Sequence, residues 1–220
     1  MSWTFRDCEA DASELREMAG VSELAALSAR AICEAAGVTF TRRVVCGCRG
    51  EIDTDSLRIF AHRRGKPCTQ NADDAHEGVH LIRALNLDPY PHDENRIEWS
   101  SMSLLMPRAQ VREVLRRASL EEPEALFAAW PLVPPVMVLL RVGWVSGRRL
   151  AVHRRGERRE WAPEDVELPD YEAAERSLVR DVRRTLVVTP TLDGLIGVPL
   201  GSTGAHGVLV IFPEVPREGW

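Results

Sequence analysis

Residues 76–80 read His76-Glu77-Gly78-Val79-His80, an HExxH pattern, inside a stretch that opens at Asn71-Ala72-Asp73-Asp74 and closes at Leu104-Leu105-Met106-Pro107. On an α-helix, residues four apart stand one above the other, so His76 and His80 can offer both imidazoles to one ion. Glu77 lies one step round the cylinder, placed to take a proton from a water at the metal rather than to bind the metal. Asn71 is an N-cap residue by type, and Asp73 and Asp74 would then fall in a first turn where the helix dipole favours negative charge. Ala75, Val79, Ile82 and Leu85 recur at helical spacing and predict a core-facing stripe. Gly78 costs about 1 kcal/mol against alanine in a helix interior, which predicts the close approach of another backbone there.

A catalytic zinc takes three protein ligands and keeps one position open. Glu94 and Glu98 are four apart on the next predicted helix, which Asp93 can cap and Pro107 must end. One carboxylate would ligate while the other holds a histidine ring by its second N–H. Glu94 is favoured as the ligand and Glu98 as the outer partner, with the reverse assignment open. His92, in the loop that follows Pro89-Tyr90-Pro91, is a third candidate. The metzincin pattern would place a histidine at position 86, where Asn86 stands.

The rest of the sequence restricts the setting. The 220 residues are enough for one substantial domain, or for a core with a small extension. Hydrophobic residues at 45% and charged residues at 28% are ordinary for a soluble globular chain. A net charge of -5 gives no electrostatic case for direct nucleic-acid binding. No apolar run, Val136 to Leu140 included, exceeds six residues, so no membrane span is expected. The N-terminal Met-Ser-Trp-Thr-Phe-Arg-Asp carries no signal-peptide pattern, and a cytoplasmic location is expected. Five cysteines, all in the first third, imply no disulfide framework, and Cys46-Gly47-Cys48 reads as a turn with reduced thiols.

Upstream, residues 9–36 read as helix in two pieces broken near Gly20, the second with a stripe of Leu24, Leu27, Ala31 and Ala35 ending at Gly37. Few basic residues there favour a packing helix over a DNA-binding helix-turn-helix. Phe40 to Val45 and Leu57 to Ala61 are of strand length and are expected to form a small sheet beside the HExxH helix. The second of them is expected to be an edge that can pair with an extended substrate. Arg63-Arg64-Gly65-Lys66 reads as a solvated loop.

Downstream, Gln110 to Ala118 predicts a surface helix with Val111, Val114 and Leu115 inward. Pro131 to Pro135 is a rigid elbow, and Pro135 suits the first turn of a buried helix over 136–145 in which Arg141 must find a partner or solvent. Arg154 to Glu160 mixes both signs of charge and reads as an exposed hairpin or loop. Asp170 can cap a helix with Ala174, Leu178, Val182 and Leu186 on one face, and two strand-like runs, Leu195–Leu200 and Val208–Phe212, are joined at Gly201-Ser202-Thr203-Gly204. The expected fold is α+β: a mainly helical core over 1–150 with a small β-sheet beside the HExxH helix, and a small C-terminal α/β extension over 151–220.

Taken together, HExxH, a short loop, a Glu on a second helix, Leu-Leu-Met-Pro and a helix ending in an Arg-containing apolar stretch resemble the ImmA/IrrE family of zinc metallopeptidases, over roughly residues 24–150. In that family the second helix usually reads Glu-x-x-Ala-Asn-x-Phe-Ala before Leu-Leu-Met-Pro. Glu94 falls on its ligand position, Ile97 on the Ala, Glu98 on the Asn, and Ser100 and Ser101 on the Phe-Ala. His76 and His80 fall on the metal histidines and Glu77 on the general base, although the family's HELGH is HEGVH here. The resemblance implies a zinc-dependent, intracellular and highly selective protease. Its relatives are similar to regulators that cleave helix-turn-helix repressors or antitoxin-like partners. The rival expectation is a zinc-bound binding or sensing module that does not hydrolyse its partner. For the oxyanion, His206, His153, Tyr90 and Tyr171 are the candidate donors.

Overall fold

The computed structural model describes residues 3–25, 27–43, 50–62, 65–88, 92–162, 170–201 and 207–214. The Cys46-Gly47-Cys48 turn, Arg63 and Arg64, the Pro89–Pro91 loop, Tyr90, His206 and most of the 201–204 turn lie outside those residues. The fold is α+β, and the chain divides into two compact units, residues 1–113 with 130–134 and residues 114–129 with 135–220. Among the described residues, no helix is long and apolar enough to cross a membrane.

The first unit begins with α1 (Phe5–Met18), whose capping box pairs the Thr4 hydroxyl and backbone with Asp7. After a break at Ala19-Gly20, α2 (Ala29–Ala35) starts at Ser28. That late start changes the inward face. Ala29, Ile32 and Cys33 are buried, whereas Leu24 and Leu27, expected on the stripe, precede the helix and are exposed. Arg16 is buried at the carboxyl end of a later helix that ends at Leu105: it donates to the Leu104 carbonyl and also to the Ser22 and Ala25 carbonyls of the α1–α2 connection. Its charge thus sits where a helix C-terminus favours a cation.

Three short strands follow: β1 (Thr39–Arg43), β2 (Gly50–Asp53) and β3 (Arg58–His62), in the order β1-β3-β2. The run Leu57 to Ala61 therefore belongs to the central strand and is not an edge. It pairs in parallel with β1 and antiparallel with β2. Among the described residues the edges of this sheet are β1 and β2, and β2, whose Gly-Glu-Ile-Asp holds a single large apolar residue, packs against the HExxH helix. Ile59 and Ala61 alternate inward from β3, against the HExxH helix.

The HExxH helix, α3 (Pro67–Leu85), begins four residues before Asn71, because Pro67 suits a first turn that needs no N–H. Asn71 is consequently interior, and Asp73 and Asp74 are not in the first turn. The Asn71 side chain instead accepts from the Ala29 N–H at 2.8 Å, one of the orphan donors of α2, and donates to the Leu132 carbonyl at 2.8 Å. Ala75, Val79 and Ile82 are buried as expected, and Leu85 is exposed at the helix end. The neighbour at Gly78 is a side chain rather than a backbone: an added Cβ would lie 2.8 Å from the Cys33 sulfur and 3.3 Å from Leu15 Cδ2. Burial pushes the Cys33 thiol up to about 12, so it packs as an apolar group. Next, α4 (Glu94–Leu105) is capped by Asp93, which accepts from the Arg96 N–H, and α5 (Arg108–Leu115) turns Val111 inward.

In the second unit, α6 (Pro123–Ala129) and α7 (Pro135–Ser146) precede a five-stranded antiparallel sheet. Its strands are β4 (Leu150–Arg154), β5 (Glu157–Trp161), β6 (Thr189–Pro190), β7 (Ile196–Leu200) and β8 (Gly207–Ile211), ordered β5-β4-β8-β7-β6. The mixed-charge run is the β4–β5 hairpin, turned by Arg155 and Gly156 at φ 51 and 85. Arg141 of α7 is fully buried and lies 4.0 Å from the Trp144 ring centroid. A last helix, α8 (Glu172–Thr185), packs Leu178, Val179 and Val182 on Val208, Val210 and Phe212. Leu186 is not on that face; it takes a left-handed C-cap and is exposed.

Glu175 of α8 is buried beneath this hairpin and meets His153 at 2.5 Å and Arg158 at 2.8 and 3.0 Å. Burial alone would raise its pKa, but the hydrogen bonds from His153 and Arg158 and the Arg158 charge outweigh it and hold Glu175 down at about 2. A folded pKa below the unfolded 4.5 adds stability above pH 4.5 that is lost as pH falls from there toward about 2. Discounted for solvent that still screens the cluster, this amounts to about 2 kcal/mol. Urea unfolding should therefore find Glu175→Gln less stable than wild type at pH 7, with the gap closing toward pH 2. An equal gap across that range would contradict the linkage.

Candidate metal centre

The spacing of His76 and His80 on α3 brings their rings together with centroids 4.7 Å apart. Their Nε2 atoms are 3.1 Å apart. Glu94, the first residue of α4, closes the figure: its Oε2 is 3.2 Å from His76 Nε2 and its Oε1 is 3.4 Å from His80 Nε2. The three ligand atoms lie within 4.8 Å of one another and can hold a metal ion. Three lone-pair carriers this close repel unless a proton or a cation sits among them. A tetrahedral zinc with ligands at about 2.0–2.1 Å separates them by about 3.3 Å, close to the 3.1 Å between the two histidine nitrogens, so the donor set fits such an ion in kind.

Glu98 and His92, the other candidates for the third corner, lie outside this group. Glu98 is half-buried one turn further along α4, and His92 is exposed with its ring centroid 5.5 Å from that of His80. Of the other residues considered for the oxyanion, His153 is engaged with Glu175 and Tyr171 packs against Phe212, both within the second unit.

Two kinds of residue build the centre without any mark in the sequence. The first is a charged network that fixes the start of α4. Arg96 donates to both oxygens of Asp11 on α1, at 2.9 and 2.6 Å, and Ser100 adds a bond to Asp11 at 2.8 Å. Arg83, buried near the end of α3, holds Asp88 at 3.1 and 2.9 Å, and Arg96 reaches the same carboxylate at 3.4 Å. Asp88, just past the end of α3, is thereby tied to both α3 and α4. The Ser100 hydroxyl is thus spent on Asp11 inside the buried face of α4.

The second is Gly50, the first residue of β2. A Cβ there would sit 2.7 Å from both Cγ and Cδ of Glu77, so the Glu77 carboxyl lies directly against the strand backbone. Glu77 is buried, at 5% exposure, beside the two histidines. One turn earlier on the same face of α3, Asp74 is tied to Arg42 of β1 at 2.6 Å; burial pushes its pKa up to about 6, only partly offset by that guanidinium. A glycine after Cys-Gly-Cys reads as part of a turn, and only the β2–β3 pairing reveals what it makes room for.

No family model and no curated protein matches the sequence. Among solved structures, a Mycobacterium tuberculosis transcriptional regulator is similar, with a TM-score of 0.59 and 12% identity over 96% of this chain and 94% of that chain. At that identity the likeness is one of fold.

Proposed function

We propose that the chain is a zinc-dependent endopeptidase of the ImmA/IrrE type, selective for a regulatory protein such as a helix-turn-helix repressor or an antitoxin-like partner. The observation that carries this reading is the meeting of His76, His80 and Glu94: the two Nε2 atoms are 3.1 Å apart, and the Glu94 carboxylate sets one oxygen 3.2 Å from His76 and the other 3.4 Å from His80. Those three residues would hold the ion, with Glu98 as the outer partner of a histidine ring. Bound there, zinc supplies a Lewis acid for the scissile carbonyl and acidifies a water toward a pKa of about 7.

The remaining work falls to the chain's own side chains. Glu77, lodged against Gly50, takes the proton of the attacking water on its carboxylate and passes it to the leaving amide nitrogen. The outer side of β2 offers backbone N–H and C=O groups, so an extended segment of the substrate can add to the sheet beside Glu77. That favours substrates cut in an unfolded or looped stretch, in keeping with selectivity for one partner.

Proteome-wide mapping of new N-termini in cells that express the protein tests the reading. New ends should appear on one or a few proteins. Incubating the cell extract with 1,10-phenanthroline should abolish further cleavage, and added zinc should restore it. Cleavage that survives complete metal removal would overturn the proposal.

A further inference from the structure

The centre has a buried side and an open side, and one imidazole stands on the open side without a role. His76 and His80 are 4% and 7% exposed, whereas the Glu94 side chain is 67% exposed, so a substrate must arrive from the Glu94 side. His92 is two residues before Glu94, is itself exposed, and has its ring centroid 5.5 Å from that of His80. A fourth tetrahedral ligand would need its nitrogen about 3.3 Å from each of the others. His92 is not part of the group whose ligand atoms lie within 4.8 Å of one another, so it borders that group without joining it. It makes no hydrogen bond among the described residues.

We propose that His92 is a catalytic residue: its imidazole N–H donates a hydrogen bond to the substrate's carbonyl oxygen as that oxygen gains negative charge. The proton stays on the nitrogen throughout, and no bond other than the hydrogen bond is made. The role rests on the peptidase reading above, and it supplies the donor that such a site needs besides the ion. The Asp93 cap and the clamp of Asp88 between Arg83 and Arg96 hold the chain on either side of the connection that carries His92.

Cobalt(II) in place of zinc lets the centre be followed by visible absorption, and acetohydroxamate is the probe, because it brings an anionic oxygen to the ion from the open side. His92→Ala should bind cobalt with unchanged affinity and spectrum but bind acetohydroxamate about 10-fold or more weakly, the usual loss for one hydrogen bond to a charged group. His92→Gln, which keeps an N–H donor, should recover part of that loss. Equal acetohydroxamate affinity in wild type and His92→Ala would overturn the role. So would a change in cobalt affinity or spectrum in His92→Ala, which would make the residue a ligand. A wild-type chain that takes up no cobalt would remove the peptidase reading itself, and this role with it.

Discussion

Glutamine in place of Glu77 is expected to lower the cleavage rate by about 10²–10⁴-fold, the range for loss of a positioned general base, while metal content stays at the wild-type level. The substitution is nearly isosteric. Glu77 is buried with its carboxyl against Gly50, so the amide fills the same space and leaves the neighbouring histidines in place. What changes is chemistry: a carboxamide cannot accept the proton of the attacking water. N-terminal mapping and elemental analysis on both proteins measure the two quantities separately. A zinc-bound module that only binds its partner would give the opposite pattern, with no difference between the two proteins in any activity.

Alanine in place of Gly50 is expected to cost about 10²-fold in cleavage, the scale on which a misplacement of about 1 Å acts at a reacting group. The new methyl would lie 2.7 Å from Cγ and Cδ of Glu77 and 2.9 Å from the Phe60 carbonyl oxygen. Carbon atoms pack at about 3.5–4.0 Å, so something must yield. The Phe60 carbonyl belongs to central strand β3, fixed on both sides by its neighbours, whereas the Glu77 side chain can rotate. The carboxyl is therefore displaced, with an overpacking cost of about 1–3 kcal/mol in stability. Zinc content should be unchanged, because none of His76, His80 and Glu94 is touched. A Gly50→Ala protein with full cleavage activity would mean that the carboxyl does not act from its place beside β2.

The His76, His80 and Glu94 group was legible because it depends on local geometry. A four-residue spacing on a helix fixes His76 over His80, and Asp93 marks where α4 starts, which puts Glu94 at its first position. Elements whose placement depends on distant partners were not legible. Asn71 has the chemistry of an N-cap, yet it serves the N-terminus of α2 rather than its own helix. Leu24 and Leu27 fit a helical period, but the helix there begins only after Ser28. The sheet order hinges on a parallel pairing of β1 with β3 across an intervening strand that carries little hydrophobic signal. Gly78 did mark a close approach, by a thiol from α2 rather than by a backbone. The clamp on α4 joins residues up to 89 positions apart, Asp11 and Ser100, and no local pattern records such a bond.

Elemental analysis of the purified wild-type chain beside His80→Ala tests the central claim most directly. About one zinc per wild-type chain, and close to none in the variant, is predicted from a three-ligand site that loses one corner. A wild-type chain free of metal, or equal zinc in both proteins, would contradict it.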